Sequence, residues 1–491
     1  MSSPSIQKVV ILGGGPDGIL AGLSLKTRHP QLDVEVIRGP EASLPAIDES
    51  TDAFVPEYLH DFLQIPLQEI HRLARPIWKI GTKMLWGPRE FFFRDYEAQF
   101  TRIPKGTVKT TGYHATGNCD DLSRPSALMA REKAFGAGPL NRPSLRGPFG
   151  YHIRRDALLT LLHDVALSRG VVVTDDQVEA VHPDGPRIGS LQLRNSGPRE
   201  ADLYIDASGD TAAWISGVLG EPFLSYDSTL PIDSWVAGYR PGTDRVVLPY
   251  TTIETRDHGW SWQFEHEDGV QLGYAYSSRA ANASQIQSQL GLDEVQSGSL
   301  RSGRVERAWV ENVIAIGSAG GGVEPLASTS LSQLSHECRW VTELLDASGY
   351  CPGETERRFF NRMTSSTRDE TRDFLAVSYR FNNRLDSDFW IHCRENTDLA
   401  GASDLVAAYR ELGPSLLLSP YLPARPSVFG MEGFISLLVG MQVPHDNIHL
   451  PHPQETEILN ADRKRYKQAA LSGLGIRETL AAIRNPNWQW Q

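Results

Sequence analysis

Cysteine is scarce in this chain. Four occur in 491 residues, Cys119, Cys338, Cys351 and Cys393, and none has C-x-x-C spacing. That pattern excludes a disulfide framework and a cysteine-rich zinc site, and it makes a reducing cytoplasm the expected compartment. Positive charge is also short. Forty-eight Lys and Arg face 60 Asp and Glu, a formal net charge of −12, which argues against nucleic acid or an anionic membrane as the main partner. No apolar run reaches membrane-spanning length. The N-terminal "VVIL" is only a strand long, so neither a signal peptide nor a transmembrane span is expected. Internal repeats and low-complexity tracts are lacking, and no metal site is expected. What is present is a globular composition, 40% hydrophobic and 22% charged. The length suits about three domains, or one large interlocked cofactor-binding unit.

The first sixty residues carry the strongest local signal. "KVVILGGGPDGILAGLSLKTRH" reads as a strand ending at Leu12, a glycine turn, then a helix. Gly13, Gly15 and Gly18 form G-x-G-x-x-G, with Pro16 inside the turn. Such a turn lets backbone N–H groups approach a pyrophosphate at a helix N-terminus, so dinucleotide binding is expected. The next strand, "LDVEVIRG", ends in Arg38 where an acid usually meets the ribose hydroxyls, a departure from the plain pattern. Two later segments favour FAD over NAD. "ADLYIDASGD" is a strand ending at Asp206, and "VENVIAIGSAGGGVEPLASTSLSQL" is a strand, a second glycine turn at Gly317, Gly320, Gly321 and Gly322, and a helix. An extended FAD needs a second close backbone approach near its ring. Between them, "YHIRRDALLTLLHDVALSRG" reads as a helix capped by Asp156, with Leu158, Leu161, Leu162 and Val165 on its core face. No second NAD fingerprint is visible.

"PIWKIGTKMLW", residues 76–86, sets Lys79 and Lys83 in one apolar strand-like run. A strand would place both on one face. Each is either a surface lysine or an amine held in a closed site.

From end to end the chain resembles flavin-dependent halogenases of the tryptophan halogenase type. "GGGPDGILA" is similar to that family's glycine loop. "DESTDAFVP", with Glu49 and Thr51, resembles its Gly-Glu-[Ala/Ser]-Thr-x-x-x-x-Pro segment, and "IDASGD" its Asp-Cys-Ser-Gly strand end. "GWSWQF" resembles Trp-x-Trp-x-Ile-Pro, and "GYAYSS" the strand after it. "VEPLASTS" resembles Val-Glu-Pro-Leu-Glu-Ser-Thr-Gly, and "RDETRDFL" an Arg-Asp-x-x-x-Asp-Phe helix. The resemblance implies a fold and a site. The fold is an α/β FAD-binding Rossmann-type (glutathione reductase/PHBH-like) module over 1–345. It is discontinuous, with β-rich substrate-covering insertions near 61–150 and 222–300. A helical C-terminal subdomain, 346–491, completes the substrate pocket.

In the site, Lys79 is the implied catalytic amine, with Lys83 a second choice. Gly13, Gly15, Pro16, Gly18, Arg38, Glu49, Asp206, Gly317 and Leu326 are implied for FAD, and the backbone N–H groups of Thr329 and Ser330 for the halide. Trp260, Trp262, Phe91, Phe93 and Phe434 are candidates for the flavin and substrate wall, or plain core. The implied reaction uses FADH2, O2 and chloride or bromide, with FADH2 from a separate flavin reductase. Its product is a halogenated aromatic small molecule, free or carrier-tethered. His114 and His152 are candidate bases.

Four departures bear on chemistry. Ala327 stands where the family has the glutamate of Pro-Leu-Glu-Ser-Thr, which points to an electron-rich phenolic, pyrrole or indole-type substrate rather than free tryptophan. Ser330 stands where the turn normally ends in glycine, and costs on the order of a kcal/mol if φ is positive there. Gly322 replaces an aromatic residue. Phe264-Glu265 replaces Ile-Pro, which leaves a flavin-dependent monooxygenase as the main alternative. A non-catalytic FAD-fold binding protein is the remote one. The late region reads as helices, with "LSPYLPARPSVFG" a connection and "NPNWQWQ" a surface tail.

Overall fold

The computed structural model describes residues 5–39, 47–139 and 142–490. Six strands form the framework sheet, in the order Trp309–Val310, Val313–Ala315, Leu203–Asp206, Lys8–Leu12, Asp33–Arg38 and Val172–Asp175. All neighbours run parallel except the antiparallel edge strand Trp309–Val310. Val9, Val10 and Ile11 are wholly buried, as a central strand covered on both faces requires. The helix Pro16–Arg28 packs on Arg155–Ser168 and Ser330–Ala347. Leu158, Leu161, Leu162 and Val165 are the buried stripe of Arg155–Ser168. That helix begins one residue before the expected cap. Asp156 therefore lies in its first turn, and Arg154 stands at the N-cap position with no side-chain bond.

The two insertions merge into one seven-stranded sheet, ordered Gln296–Ser299, Ser234–Pro241, Gly269–Tyr276, Gly259–His266, Thr251–Arg256, Gly81–Leu85 and Phe92–Asp95. Its middle is a chain of antiparallel hairpins, and Gly81–Leu85 joins Thr251–Arg256 in parallel.

This join breaks the run 76–86 in two. Ile77–Lys79 pairs with Gly150–Ile153 in a small separate sheet, while Gly81–Leu85 belongs to the large one. Ile80, between them, donates its N–H to Pro249 O at 2.8 Å. The two lysines therefore do not share a face. Lys79 is buried, whereas Lys83 lies over the Phe91 ring, 4.2 Å from its centroid.

The C-terminal region is helical: Glu354–Arg380, Asp388–Asn396, Ser403–Leu412, Gly430–Gly440, Pro453–Leu471 and Ile476–Ile483. Residue 345 falls inside the helix Ser330–Ala347, so the chain passes from framework to helical region without a linker there. The tail is not a plain surface segment, because Trp488 and Trp490 pack against the framework core and Trp490 stacks near His71 at 5.8 Å.

Candidate active site

The parallel strands Lys8–Leu12 and Leu203–Asp206 end at a common edge, where an α/β sheet opens a ligand crevice. Gly13 follows the first strand at φ 128°, and a Cβ there would stand 2.1 Å from Ala207 O. At Gly18 a Cβ would stand 1.9 Å from Gly13 O. Only glycine allows this turn to pass so close under the sheet. The helix Pro16–Arg28 starts with Pro16 in its first turn, and Gly15 at the N-cap makes no side-chain bond, so the first-turn N–H groups have no intrahelical acceptor.

Asp17 staples this turn to the second glycine turn. Its Oδ2 accepts from Ser318 N at 3.2 Å, and a Cβ on Gly317 (φ 54°) would sit 2.1 Å from that oxygen. Burial pushes the Asp17 carboxyl above its ordinary range, with Arg155 opposing. Arg368 locks the second turn from the helix Glu354–Arg380. Its Nη2 donates to Glu337 at 2.6 Å and to Gly317 O at 3.0 Å, and its Nη1 to Gly321 O. Glu49, which faces Arg155 at 3.4 Å, lines the same crevice with Pro16, Phe264, Trp235 and Gly322. At Gly322 a Cβ would meet nothing within 4 Å. Arg38 lies along the first glycine turn, since a Cβ on Gly14 would stand 2.2 Å from its Cγ. It also pairs with Asp175, Nη2 to Oδ2 at 2.9 Å.

Asp206 is not in the crevice lining. Its Oδ1 accepts from the N–H and hydroxyl of Ser208, and its Oδ2 from the N–H groups of Trp214 and Ile215. With four donors on two oxygens, it anchors the chain after the strand. Asp210 lines the crevice instead.

Lys79 ends the strand Ile77–Lys79 and is 1% exposed. Its Nζ donates to Ser50 Oγ at 2.9 Å and to Ser328 Oγ at 3.0 Å. Burial lowers its pKa from 10.5 to about 7, against the pull of Asp52 and helped by Arg94. A second cavity, of about 380 Å³, opens beside it and is lined by Lys79, Asp52, Arg94, Tyr96, Phe429 and Glu432 among others.

The turn at 325–330 is the wall between the two spaces. Pro325, Ser328 and Ser330 face the crevice, and Leu326, Ala327 and Thr329 face the second cavity. The positive φ falls on Ser328, at 57°. Ser330 is the first residue of the helix Ser330–Ala347, so the strain expected there belongs two residues earlier.

A hydrogen-bond chain meets Lys79. His152 Nδ1 accepts from Glu265 N at 3.0 Å, and burial holds its pKa well below the usual range. The ring is therefore neutral and carries its proton on Nε2, which donates to Thr251 Oγ1 at 2.7 Å. Thr251 Oγ1 shares a hydrogen bond with Ser50 Oγ at 3.0 Å. Ser50 Oγ, which also accepts from Lys79, shares one with Ser328 Oγ at 3.2 Å. His152 is thus the root of this chain and lines neither cavity. His114 lies elsewhere, edge-on to His449 at 5.2 Å.

The expected aromatic walls are mostly set back. Phe93 packs on Tyr250 and Phe91, at 5.4 and 5.3 Å, in a separate apolar cluster. Trp262 backs Phe264 at 5.9 Å, and Trp260 Nε1 bonds Tyr379 Oη at 3.1 Å. Phe434 stands behind Phe429, edge-on at 6.2 Å. The rings that do face the spaces are Phe264 and Trp235 in the crevice and Phe54, Tyr96 and Phe429 in the second cavity. Asp17, Ser50, Asp52, Ser328 and Arg368 lie inside the quoted motifs and were open to being singled out. Arg94 and Arg155 had no local signal beyond charge.

The sequence matches the family model for tryptophan halogenases over residues 8–453. The chain belongs to the tryptophan halogenase family. Tryptophan 7-halogenase RebH of Lentzea aerocolonigenes is 28% identical over 448 residues, 83% of this chain and 82% of that protein. The 7-chloro-L-tryptophan 6-halogenase KtzR of Kutzneria sp. (strain 744) is 28% identical over 456 residues, 85% and 88% of the two chains. Among solved structures, the lathipeptide tryptophan 5-halogenase MibH superposes with TM-score 0.88 at 29% identity, covering 98% of this chain and 93% of that one. The α/β FAD-binding fold class is the one these halogenases share. Flavin-dependent halogenases use FADH2, O2 and halide and draw FADH2 from a separate flavin reductase, so the chain is a flavin-dependent halogenase by family. Among the described residues, no cluster of three or more His, Cys, Asp or Glu could hold a metal, and no helix is long and apolar enough to cross a membrane.

Proposed function

We propose that this halogenase acts on an electron-rich aromatic small molecule, of phenolic, pyrrole or indole type, and not on free tryptophan, with Lys79 as the halogen-delivering amine. The observation that carries the reading is the placement of Lys79 Nζ. It is bonded to Ser328 in a turn whose residues line both a glycine-lined crevice and a second cavity.

The crevice suits FAD. Gly13 and Gly18 let the turn close tightly under the sheet, where a Cβ would strike Ala207 O or Gly13 O, and the first turn of the helix Pro16–Arg28 turns its N–H groups after Pro16 toward a pyrophosphate. Those residues, with Arg38, Glu49 and Gly317, would hold the cofactor; Leu326, also expected there, lines the second cavity instead. Bound FADH2 with O2 supplies the oxidising equivalents that turn halide into hypohalous acid. The backbone N–H groups of Thr329 and Ser330, at the start of a helix, suit the halide, since a helix N-terminus favours an anion.

Two of the Lys79 hydrogens are tied to Ser50 and Ser328. The remaining tetrahedral position holds either a third hydrogen or the lone pair. With a pKa near 7, both forms are populated at neutral pH. The ammonium hydrogen-bonds hypohalous acid. The amine displaces hydroxide from it, giving a haloamine and water. Either way the electrophilic halogen is held at the second cavity. Ala327 offers no carboxylate there, so the aromatic ring must stabilise its own cationic intermediate through a ring oxygen or nitrogen.

The test is incubation with a flavin reductase, NADH, FAD, O2 and bromide or chloride against phenols, pyrroles, indoles and tryptophan. Products showing the halogen isotope pair from the electron-rich panel, with none from tryptophan, support the reading. A second reading, hydroxylation by a monooxygenase, is favoured by Phe264 and the open space at Gly322 facing the crevice. Products gaining one oxygen and no halogen would establish it.

A further inference from the structure

The second cavity contains an arginine without a carboxylate partner. Arg94 lies in the strand Phe92–Asp95, opposite Thr82, and both line the cavity. Its Nε donates to Ser436 Oγ at 3.1 Å, and its guanidinium carbon stands 4.6 Å above the Phe374 ring. Phe374 is in turn stacked flat on Phe429, at 3.8 Å and 4°. The fork is thus held at one nitrogen and on one face, and its two terminal nitrogens remain uncommitted. Among the described residues, no carboxylate comes within ion-pair distance of Arg94. The acids around it are engaged elsewhere. Glu432 accepts from Phe100 N, Thr101 N and Thr101 Oγ1. Asp95 accepts from Ser123 Oγ and Glu97 N. Asp52 accepts from Phe54 N and Val55 N.

A guanidinium drawn out of bulk water without a paired carboxylate is costly. Arg94 lines the cavity, and burial brings its pKa down to about 10 against the pull of Tyr96 and Glu432. A planar fork with two free donors matches a carboxylate in a bidentate pair.

We propose that the substrate is an aromatic acid, and that Arg94 is the specificity-determining residue that receives its carboxylate. This rests on the reading of the second cavity as the substrate site. The ring would then lie between Arg94 and Lys79, against Phe429, and the carboxylate would offset the repulsion between the two cations.

The experiment measures binding to the FAD-loaded protein without reductant or halide, so its result stands apart from any halogenation. The probes are two matched pairs, 4-hydroxybenzoate with 4-hydroxybenzamide and indole-3-acetate with indole-3-acetamide, titrated by calorimetry. At least one acid is expected to bind about tenfold tighter than its amide, the scale of a charge-assisted bond. Arg94→Gln should reduce that ratio to about twofold or less, and Arg94→Lys should keep part of it. Equal affinity of acid and amide for the unsubstituted protein, weak or strong, overturns the assignment. So does a ratio that survives Arg94→Gln. Should that variant fold poorly, Ser436→Ala releases the fork and is expected to lower the ratio; an unchanged ratio there overturns the proposal equally.

Discussion

Lys79 and Ser328 meet across 249 residues of sequence, Nζ donating to Oγ at 3.0 Å. Ser328 belongs to the turn that separates the crevice from the second cavity, and it is held at a positive φ of 57°. The amine is therefore fixed to the partition itself, with Ser50 as its second anchor.

Replacing the amine should abolish delivery and spare the fold. Lys79→Met keeps an unbranched apolar stem in a buried slot. Halogenation should fall at least about 100-fold, the usual scale for a positioned proton-handling group. FAD affinity should stay within about twofold of the parent, since no crevice contact is lost. Product assays and flavin fluorescence titration read the two effects separately.

Stability should reveal the titration of Lys79. Its folded pKa, about 7, lies below the ordinary 10.5. Between those values the unfolded chain binds more protons than the folded one, so this group's contribution rises with pH and is worst below pH 7. Lys79→Met should therefore gain most over the parent in denaturant melts near pH 6, and the gain should shrink as pH climbs through 7 toward 10. Asp95 and Glu324, each raised to about 8 by burial, act in the opposite sense in both proteins and cancel in the difference. A gain independent of pH would contradict the shift.

Ser328→Gly separates strain from function. The left-handed backbone costs a non-glycine residue about 1 kcal/mol, so the variant should melt higher. It also removes an acceptor of Lys79 and the last hydroxyl of the chain from His152. Turnover should drop about tenfold, the scale of one hydrogen bond to a charged group. Differential scanning calorimetry and steady-state assays check both signs.

Ala327→Glu would place a carboxylate on the second-cavity side of the turn. It should raise the Lys79 pKa, move the acidic limb of the pH–rate profile upward, and shift kcat/KM in favour of less activated indoles relative to phenols. Competition assays with mixed substrates measure the ratio directly.

Gly13→Ala should fail at the cofactor. The added Cβ would lie 2.1 Å from Ala207 O at φ 128°, a combined strain and overlap worth more than about 2 kcal/mol. Loss of FAD retention on gel filtration is the readout.

The glycine turns, the strand at Lys8–Leu12 and the leucine stripe at 158–165 were legible because turn chemistry and side-chain periodicity act over a few residues. The run 76–86 was misread for the opposite reason. Its apolar pattern suits one strand, and only the pull of two different sheets breaks it at Ile80. Asp206 sits at a strand end where a cofactor ligand is expected, but four donors from residues 208, 214 and 215 claim it. Phe91 and Phe93 have the alternation of a pocket wall, but Phe93 packs on Tyr250 and Phe91 on Phe93, away from both cavities.

By itself, the sequence determined the cofactor class and the family, and it singled out Lys79 as the candidate amine, because glycine spacing and motif order are properties of the chain read locally. Only the tertiary structure decided what surrounds that amine. Ser50 is 29 residues from Lys79 and Ser328 is 249 away, and the depressed pKa comes from burial among segments that share no sequence neighbourhood. Desolvation and long-range contact are collective effects, and no pattern of neighbouring residues encodes them.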